Sequence, residues 1–203
     1  MKYTKAVCKK CRSLNEKLFL KGDKCFSNCI LEKRKTSIKQ RKLSDYGKHL
    51  REKQILRFSY LMNESQFRRF FDIASKAKGK TGETLLTLCE MRLDNIVRKI
   101  GYALSIKEAR QLVNHGHIKV NGKVTKIPSY IVKEGDEISL ADPKLLENSQ
   151  IKRSLELTDS NFSRPAYMVY NPETKSAKLI RIPERSELPL KINEQLIVEF
   201  YSK

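Results

Sequence analysis

The spacing of apolar positions along the chain changes period, and each change predicts an element. From Ser44 onward the spacing is helical. Tyr46, Leu50, Phe58 and Leu61 fall on one face, and Lys48, Arg51, Lys53 and Arg57 crowd the others. The turn Met62-Asn63-Glu64-Ser65 follows, with Ser65 placed to cap a second helix. That helix puts Phe67, Phe70, Phe71, Ala74 and Ala77 on one stripe, with Arg68 and Arg69 beside it. Such a period reads as core rather than as a base-stacking platform, although aromatic residues serve both ends. A loop over residues 76–82, carrying Lys78 and Lys80, leads to a third helix with Leu85, Leu86, Leu88 and Cys89.

The clearest pattern comes next. Leu93, Ile96, Val97 and Ile100 recur at i, i+3, i+4 and i+7 and stop at Gly101, a natural C-terminal cap. Ser105 and Glu108 have capping-box spacing for a helix that buries Ile106, Ala109, Leu112 and Val113 and ends at Gly116. Lys107, Arg110, Gln111 and His115 lie on its other face. Ile118-Lys119-Val120, then Asn121-Gly122, then Lys123-Val124 is an Asn-Gly hairpin with alternating faces. Further strands are expected over residues 136–140, 167–170 and 178–182. Asn193 is placed to cap a last helix over 194–202, although residues 196–201 would also serve as a strand. The fold class expected is α+β. Residues 1–45 have little periodicity and many charges, so something other than a core must order them.

Charge sharpens the picture. The 203 residues carry a formal net charge of +19. The first 80 residues hold 23 Lys or Arg against 7 Asp or Glu, and the remainder hold 19 against 16. A block of like charge repels itself and expects a polyanion. An anionic membrane is the other candidate, but no stretch reads as a spanning helix, a secretory leader or a lipidation site. Nucleic acid is the expected partner, and no membrane. The cysteines and charges near the start are too early for a leader, which points to a cytoplasmic chain with reduced thiols.

Four of the five cysteines form a set: Cys8-x2-Cys11, thirteen residues, then Cys25-x3-Cys29. This is zinc-knuckle spacing, in which two short pairs place four soft ligands around one Zn2+. Lys9, Lys10, Arg12, Lys24 and Lys33 around them would lower the thiol pKa values and offset the charge of a four-thiolate site. Ligation energy would then replace the missing core. The same thiolates could hold an iron–sulfur cluster or remain free thiols. Four protein ligands leave no open position for catalysis. Cys89, alone in an apolar helical pattern, reads as a small hydrophobe.

Lysine and arginine alone give salt-sensitive affinity without specificity, but here they ride on rigid elements that can match the phosphate pattern of a folded RNA. The candidate contacts are Arg41, Lys42, Tyr46, Lys48, Arg51, Lys53, Arg57, Arg68, Arg69, Lys78 and Lys80. A second surface comprises Arg92, Lys107, Arg110, Gln111, His115 and Lys119. His115 and His117 flank Gly116 at a helix end, where an imidazolium is favoured and could meet a phosphate or simply cap the helix. There is no Walker loop, nucleotide-binding glycine fingerprint or nucleophile elbow, and no convincing carboxylate pair. No enzyme activity is expected.

The runs Arg92-Leu93-Asp94-Asn95-Ile96-Val97, Ala109-Arg110-Gln111-Leu112-Val113-Asn114-His115-Gly116-His117-Ile118 and Val120-Asn121-Gly122 closely resemble the S-four RNA-binding module. Pseudouridine synthases and tyrosyl-tRNA synthetases carry versions of it, so the flanks matter. Arg41-Lys42-Leu43-Ser44-Asp45-Tyr46-Gly47, Gln66-Phe67-Arg68-Arg69, Thr81-Gly82-Glu83 and Ile127-Pro128-Ser129-Tyr130 resemble the ribosomal protein S-four family of the bacterial small subunit. The cysteines resemble its zinc-bearing variant, although some of those relatives space the second pair by four residues rather than three.

The resemblance implies a zinc-binding basic extension over residues 1–44 and a helical rRNA-binding domain over 45–90, completed by a C-terminal helix at 193–203. An inserted module with a β-sheet would occupy 91–192. It also implies a primary binder of small-subunit ribosomal RNA at a junction in the 5′ domain, which nucleates assembly of the subunit body and contributes to translational accuracy. Ribosomal protein S-five and messenger RNA at the entry path are the other partners implied. The location implied is the ribosome, cytoplasmic or organellar. An RNA-modifying enzyme would need a further catalytic domain, and a zinc-dependent DNA regulator would need a base-reading helix-turn-helix.

Overall fold

The computed structural model describes residues 6–33, 43–188 and 192–202. Arg41 and Lys42, both expected to contact RNA, lie outside the described residues. The chain divides into two compact units, one formed by residues 1–86 and 189–203 and the other by residues 87–188.

In the first unit, α1 (Cys8–Leu14), α2 (Lys24–Ser27) and α3 (Ile30–Lys33) are short helices joined by turns. The segment contains a small apolar set that its lack of periodicity did not reveal: Val7, Cys11, Leu18, Leu20 and Cys25 are all buried. These residues are too widely spaced in sequence to show a period, because tight turns rather than one long element bring them together.

Helix α4 (Asp45–Ser59) starts at Ser44, whose hydroxyl accepts the Gly47 N–H at 3.2 Å. Its buried face is His49, Lys53, Ile55, Leu56, Phe58 and Ser59. Tyr46, expected on that face, is 66% exposed. Leu61, expected on the same helix, lies beyond its end with a φ of +47°. Helix α5 (Glu64–Lys76) is capped by Asn63, not Ser65, through a 2.7 Å bond to the Gln66 N–H. Phe67, Phe70 and Ala74 are buried as the stripe required, whereas Ala77 has left the helix and is exposed. The last helix of the chain, α10 (Glu194–Ser202), packs on α4, with Ile197 fully buried. His49 joins the two, its Nε2 lying 2.7 Å from Glu199 Oε2. The 196–201 run is therefore helical, because its aromatic side reaches α4 and α5: Phe200 meets Tyr46 at 5.6 Å and Tyr201 meets Phe71 at 4.6 Å.

Helix α6 (Thr81–Glu90) carries the chain into the second unit. There α7 (Leu93–Ile100) and α8 (Ile106–Asn114) pack together as their periodicity required. The sheet is antiparallel throughout, in the order β2 (Lys123–Val124), β1 (Ile118–Val120), β3 (Glu137–Leu140), β5 (Ser176–Leu179), β4 (Met168–Asn171). Asn121 and Gly122 take φ of +50° and +77°, the two left-handed positions of a type I′ turn, and Val120 pairs with Lys123 across it. Alternation then sends Ile118, Val120, Ile138, Met168, Ala177 and Leu179 into the core with α7 and α8, while Val124 and Val169 face outward.

Two elements differ from expectation. The last strand is 176–179 rather than 178–182: Leu179 is buried, and the chain leaves the sheet so that Ile180 and Ile182 are exposed. An unexpected helix, α9 (Ser149–Asn161), turns Ile151, Ser154, Leu155 and Thr158 inward. Thr158 can be buried because its hydroxyl donates to the Ser154 carbonyl at 2.8 Å. Gly101, which ends α7 at φ +106°, lies against Thr158; a Cβ there would sit 2.8 Å from its hydroxyl oxygen.

Candidate nucleic-acid interface

The basic side chains divide into those that hold the fold and those that leave it. In the first unit Arg51, Lys53 and Arg57 belong to the first kind. Arg51 Nη2 donates to the Leu14 carbonyl at 3.2 Å and lies 3.4 Å from Glu16, clasping α1 to α4. Lys53, only 4% exposed, donates to Glu64 Oε1 at 2.7 Å and lies 4.5 Å from the Phe200 ring centre. Arg57 donates to Glu64 Oε2 at 2.8 Å, and the Tyr201 hydroxyl donates to Oε1 at 2.8 Å. Burial opposes ionisation of Glu64, yet the bonds from Lys53 and Tyr201 outweigh it and hold the carboxyl below its ordinary range. Sequence spacing put these cations on a helix surface but could not show that acidic partners from other elements would meet them there.

Arg68 and Arg69 are of the second kind. Both are exposed on α5, opposite the buried Phe67, Phe70 and Ala74. Lys76, Lys78 and Lys80 follow at the helix end and in the next loop, all exposed, with Lys80 bonded to Glu83 at 2.9 Å. Lys48 is exposed on α4 beside Asp45, also at 2.9 Å. The unit thus presents fixed positive charge from a rigid helix, the form that suits a phosphate backbone.

In the second unit Arg92 departs from the expected surface. It is 1% exposed, and its Nε and Nη2 donate to the two carboxylate oxygens of Asp94 at 3.0 and 2.7 Å. Asp94 Oδ2 also accepts from Arg110 Nε at 2.6 Å, which fixes Arg110 at the half-buried edge of α8. A second buried group lies nearby: Lys99 bonds Glu90, and the Tyr167 hydroxyl donates to Glu90 at 2.8 Å. Ser105 caps α8 through the Glu108 N–H, and Glu108 in return accepts from Leu104 N–H at 3.0 Å, one residue earlier than a strict capping box.

Along α8, Lys107 is half-buried and Gln111 and His115 are exposed; Lys119 is half-buried on β1. Lys123, Lys126 and Lys133 are exposed around the hairpin and the loop after it, and sequence reasoning passed over them. Their signal was present, since an Asn-Gly turn exposes the charges beside it. Gln111, His115 and His117 border a cleft of about 180 Å³ floored by Leu112, Leu145 and Ile151. The imidazole rings of His115 and His117 are 5.8 Å apart.

The four clustered cysteines sit in the first unit, with Cys11 and Cys25 buried and Cys8 and Cys29 partly so. Burial pushes the Cys11 and Cys25 thiols up, and their neighbouring thiols add to the rise. The Leu18 N–H bonds Cys11, and the Lys21 N–H donates to Cys25 Sγ at 3.2 Å. At Cys11 and Cys25 burial outweighs the lowering expected from neighbouring cations. Among the described residues no group of three or more His, Cys, Asp or Glu side chains is arranged to hold a metal ion.

A basic helical surface and a compact helix–hairpin unit together suit a folded nucleic acid. No helix among the described residues is long and apolar enough to cross a membrane. Comparison with known families gives the rest. Residues 2–90 match the Ribosomal protein S4/S9 N-terminal domain and residues 91–138 match the S4 domain. The chain is 46% identical to small ribosomal subunit protein uS4 of Thermodesulfovibrio yellowstonii, over 100% of this chain and 99% of that protein. It is 47% identical to uS4 of Dictyoglomus turgidum and 44% identical to uS4 of Thermus thermophilus, with the same coverage. The chain belongs to the ribosomal protein uS4 family.

Proposed function

We propose that this chain is a structural, RNA-binding component of the small ribosomal subunit and not an enzyme. The observation that carries the reading is likeness to small ribosomal subunit proteins along the whole chain, at 44–47% identity. The geometry agrees with it: Arg68 and Arg69 stand exposed on a helix whose opposite face is locked in a core. The helix fixes where these side chains start, which favours recognition of RNA shape, and each arginine gives up rotamer freedom only on meeting a phosphate.

The finer reading is a primary binder at a multi-helix junction in the 5′ domain of the ribosomal RNA, which nucleates the subunit body and contributes to accuracy, with ribosomal protein S-five and messenger RNA as neighbours. Footprinting of the purified chain on naked small-subunit ribosomal RNA tests it. Protection confined to one junction supports the reading, and protection scattered along the RNA counts against it.

Cys8, Cys11, Cys25 and Cys29 are proposed to hold one structural Zn2+. The support is the paired spacing of four soft ligands, two of which accept backbone N–H bonds, the outer contacts that support thiolate ligands. Bound zinc would cross-link α1 to α2 and to the link that follows it. Protein purified without chelator should contain about one equivalent of zinc; less than about half an equivalent ends the proposal.

A further inference from the structure

We propose that Asn121 is a latent deamidation site. Bonds across the sheet hold off its cyclisation onto Gly122, and conversion to aspartate or isoaspartate undoes the hairpin. Asn121-Gly122 is the sole Asn-Gly step in the sequence. An asparagine amide is a labile group, and a following glycine leaves the attacking backbone nitrogen unshielded. The space beside Gly122 is open: a Cβ built there would meet nothing within 4 Å beyond its chain neighbours.

The reaction closes a ring and reopens it. The Gly122 backbone nitrogen gives its proton to solvent and bonds to Asn121 Cγ. The Cγ–Nδ2 bond breaks, and the amide nitrogen leaves as ammonia. Water then opens the cyclic imide at one of its two carbonyls. Opening at Cγ gives aspartate, and opening at the main-chain carbonyl gives isoaspartate, in which the chain runs through Cβ and Cγ.

The fold opposes the first step. Asn121 Nδ2 donates to Asp136 Oδ1 at 2.7 Å, and Asn121 Oδ1 accepts the Glu137 N–H at 2.9 Å. The amide is thus tied at both ends, to Asp136 and to the first residue of β3. It must give up both bonds before Cγ turns to the next nitrogen and Nδ2 departs. The Asn121 N–H also donates to the Glu137 carbonyl at 2.9 Å, which fixes the backbone beside it. Asp136 is itself held: it is 8% exposed, and its Oδ2 accepts the Lys133 N–H at 2.8 Å.

The same bonds make the product disruptive. Aspartate at 121 has no N–H to give Asp136, so a buried carboxylate loses its donor and meets a like charge. Isoaspartate lengthens the main chain between Val120 and Lys123, whose pairing closes the turn. Either product loosens β2 from β1, and with it the placement of Lys119 and Lys123.

The test holds the full-length chain at mildly alkaline pH and follows the peptide carrying residues 118–126 by mass spectrometry, with isoaspartate scored separately. Folded wild type should convert at least about tenfold more slowly than the same chain unfolded in urea, and Asp136→Ala about tenfold faster than folded wild type. Equal rates for folded and unfolded wild type overturn the protection. Asp136→Ala within about twofold of folded wild type overturns the assignment to this bond. Hydrogen exchange of the 118–124 amides reports whether the Asp136→Ala hairpin stays closed. If it does not, wild type at low urea decides. Conversion that climbs as the Asn121 and Glu137 amides open supports the proposal, and conversion that stays level while they open overturns it. Asn121→Asp should exchange its hairpin amides about tenfold faster than wild type. Unchanged exchange would show that conversion leaves the hairpin intact and overturn the second half.

Discussion

Arg92 and Asp94 form a two-pronged ion pair, each residue 1% exposed, at the entrance to α7. The Asp94 carboxylate also takes the Arg110 Nε, so one buried anion fixes two arginines of the same unit. The pair sits beside the backbone bonds that join this entrance to the 128–130 turn, Leu93 N–H to Tyr130 and Asp94 N–H to Pro128. It holds helix and loop in one register and gives α8 a basic residue with a fixed position.

Removing Asp94 should therefore unfold more than it unbinds. Asp94→Ala leaves Arg92 buried without its counter-charge, which costs about 3–5 kcal/mol. Urea unfolding of the full chain would measure the loss, and a change below about 1 kcal/mol would show that water or another group takes the place of Asp94.

The arginines of α4 and α5 should behave oppositely. Arg68→Ala/Arg69→Ala should leave stability within about 0.5 kcal/mol and lower the dependence of log affinity on log salt by about 0.7–0.9 per lost phosphate. Arg51→Ala/Arg57→Ala should lower thermal stability first, because it frees α1 from α4 and leaves Glu64 with fewer donors. Matched stability with a flattened salt slope in this second pair would show that Arg51 and Arg57 face RNA after all.

Much of this division was invisible in the sequence. The helix starts at Ser44 and Ser105, the stop at Gly101 and the Asn121-Gly122 turn are local chemistry, legible because neighbouring residues decide them. The fate of Arg51, Arg57 and Arg92 was not, since Leu14, Glu64 and Asp94 meet them only through packing or an unforeseen turn. Helix α9 was missed for a related reason: Ser154 and Thr158 complete its inward stripe, and hydroxyls break an apolar period even when they are buried. The exposed cations of the hairpin were legible too, since an Asn-Gly turn places the charges beside it in solvent.

Acid should weaken the first unit through Glu64. Its folded pKa lies below the ordinary 4.5, so its contribution is complete above that value and is lost as pH falls through the lower folded one. Melting temperature measured against pH should decline in this acid window for wild type and decline less for Glu64→Gln. Parallel curves would remove Glu64 from the account.

Gly101 is a point of double constraint. Gly101→Ala should destabilise the second unit by about 1–3 kcal/mol from the left-handed backbone, with the Thr158 contact adding to it. In a Thr158→Gly background, which removes all three contacting atoms, Gly101→Ala should still keep most of its cost. Loss of that cost there would mean that crowding, not backbone conformation, selects glycine.

Sedimentation of the tagged full-length chain in lysate tests the central claim most directly. The chain should travel with small ribosomal subunits and stay with them through a moderate-salt wash, because its contacts combine fixed cations with shape. Migration at the top of the gradient, away from the subunits, would contradict the account.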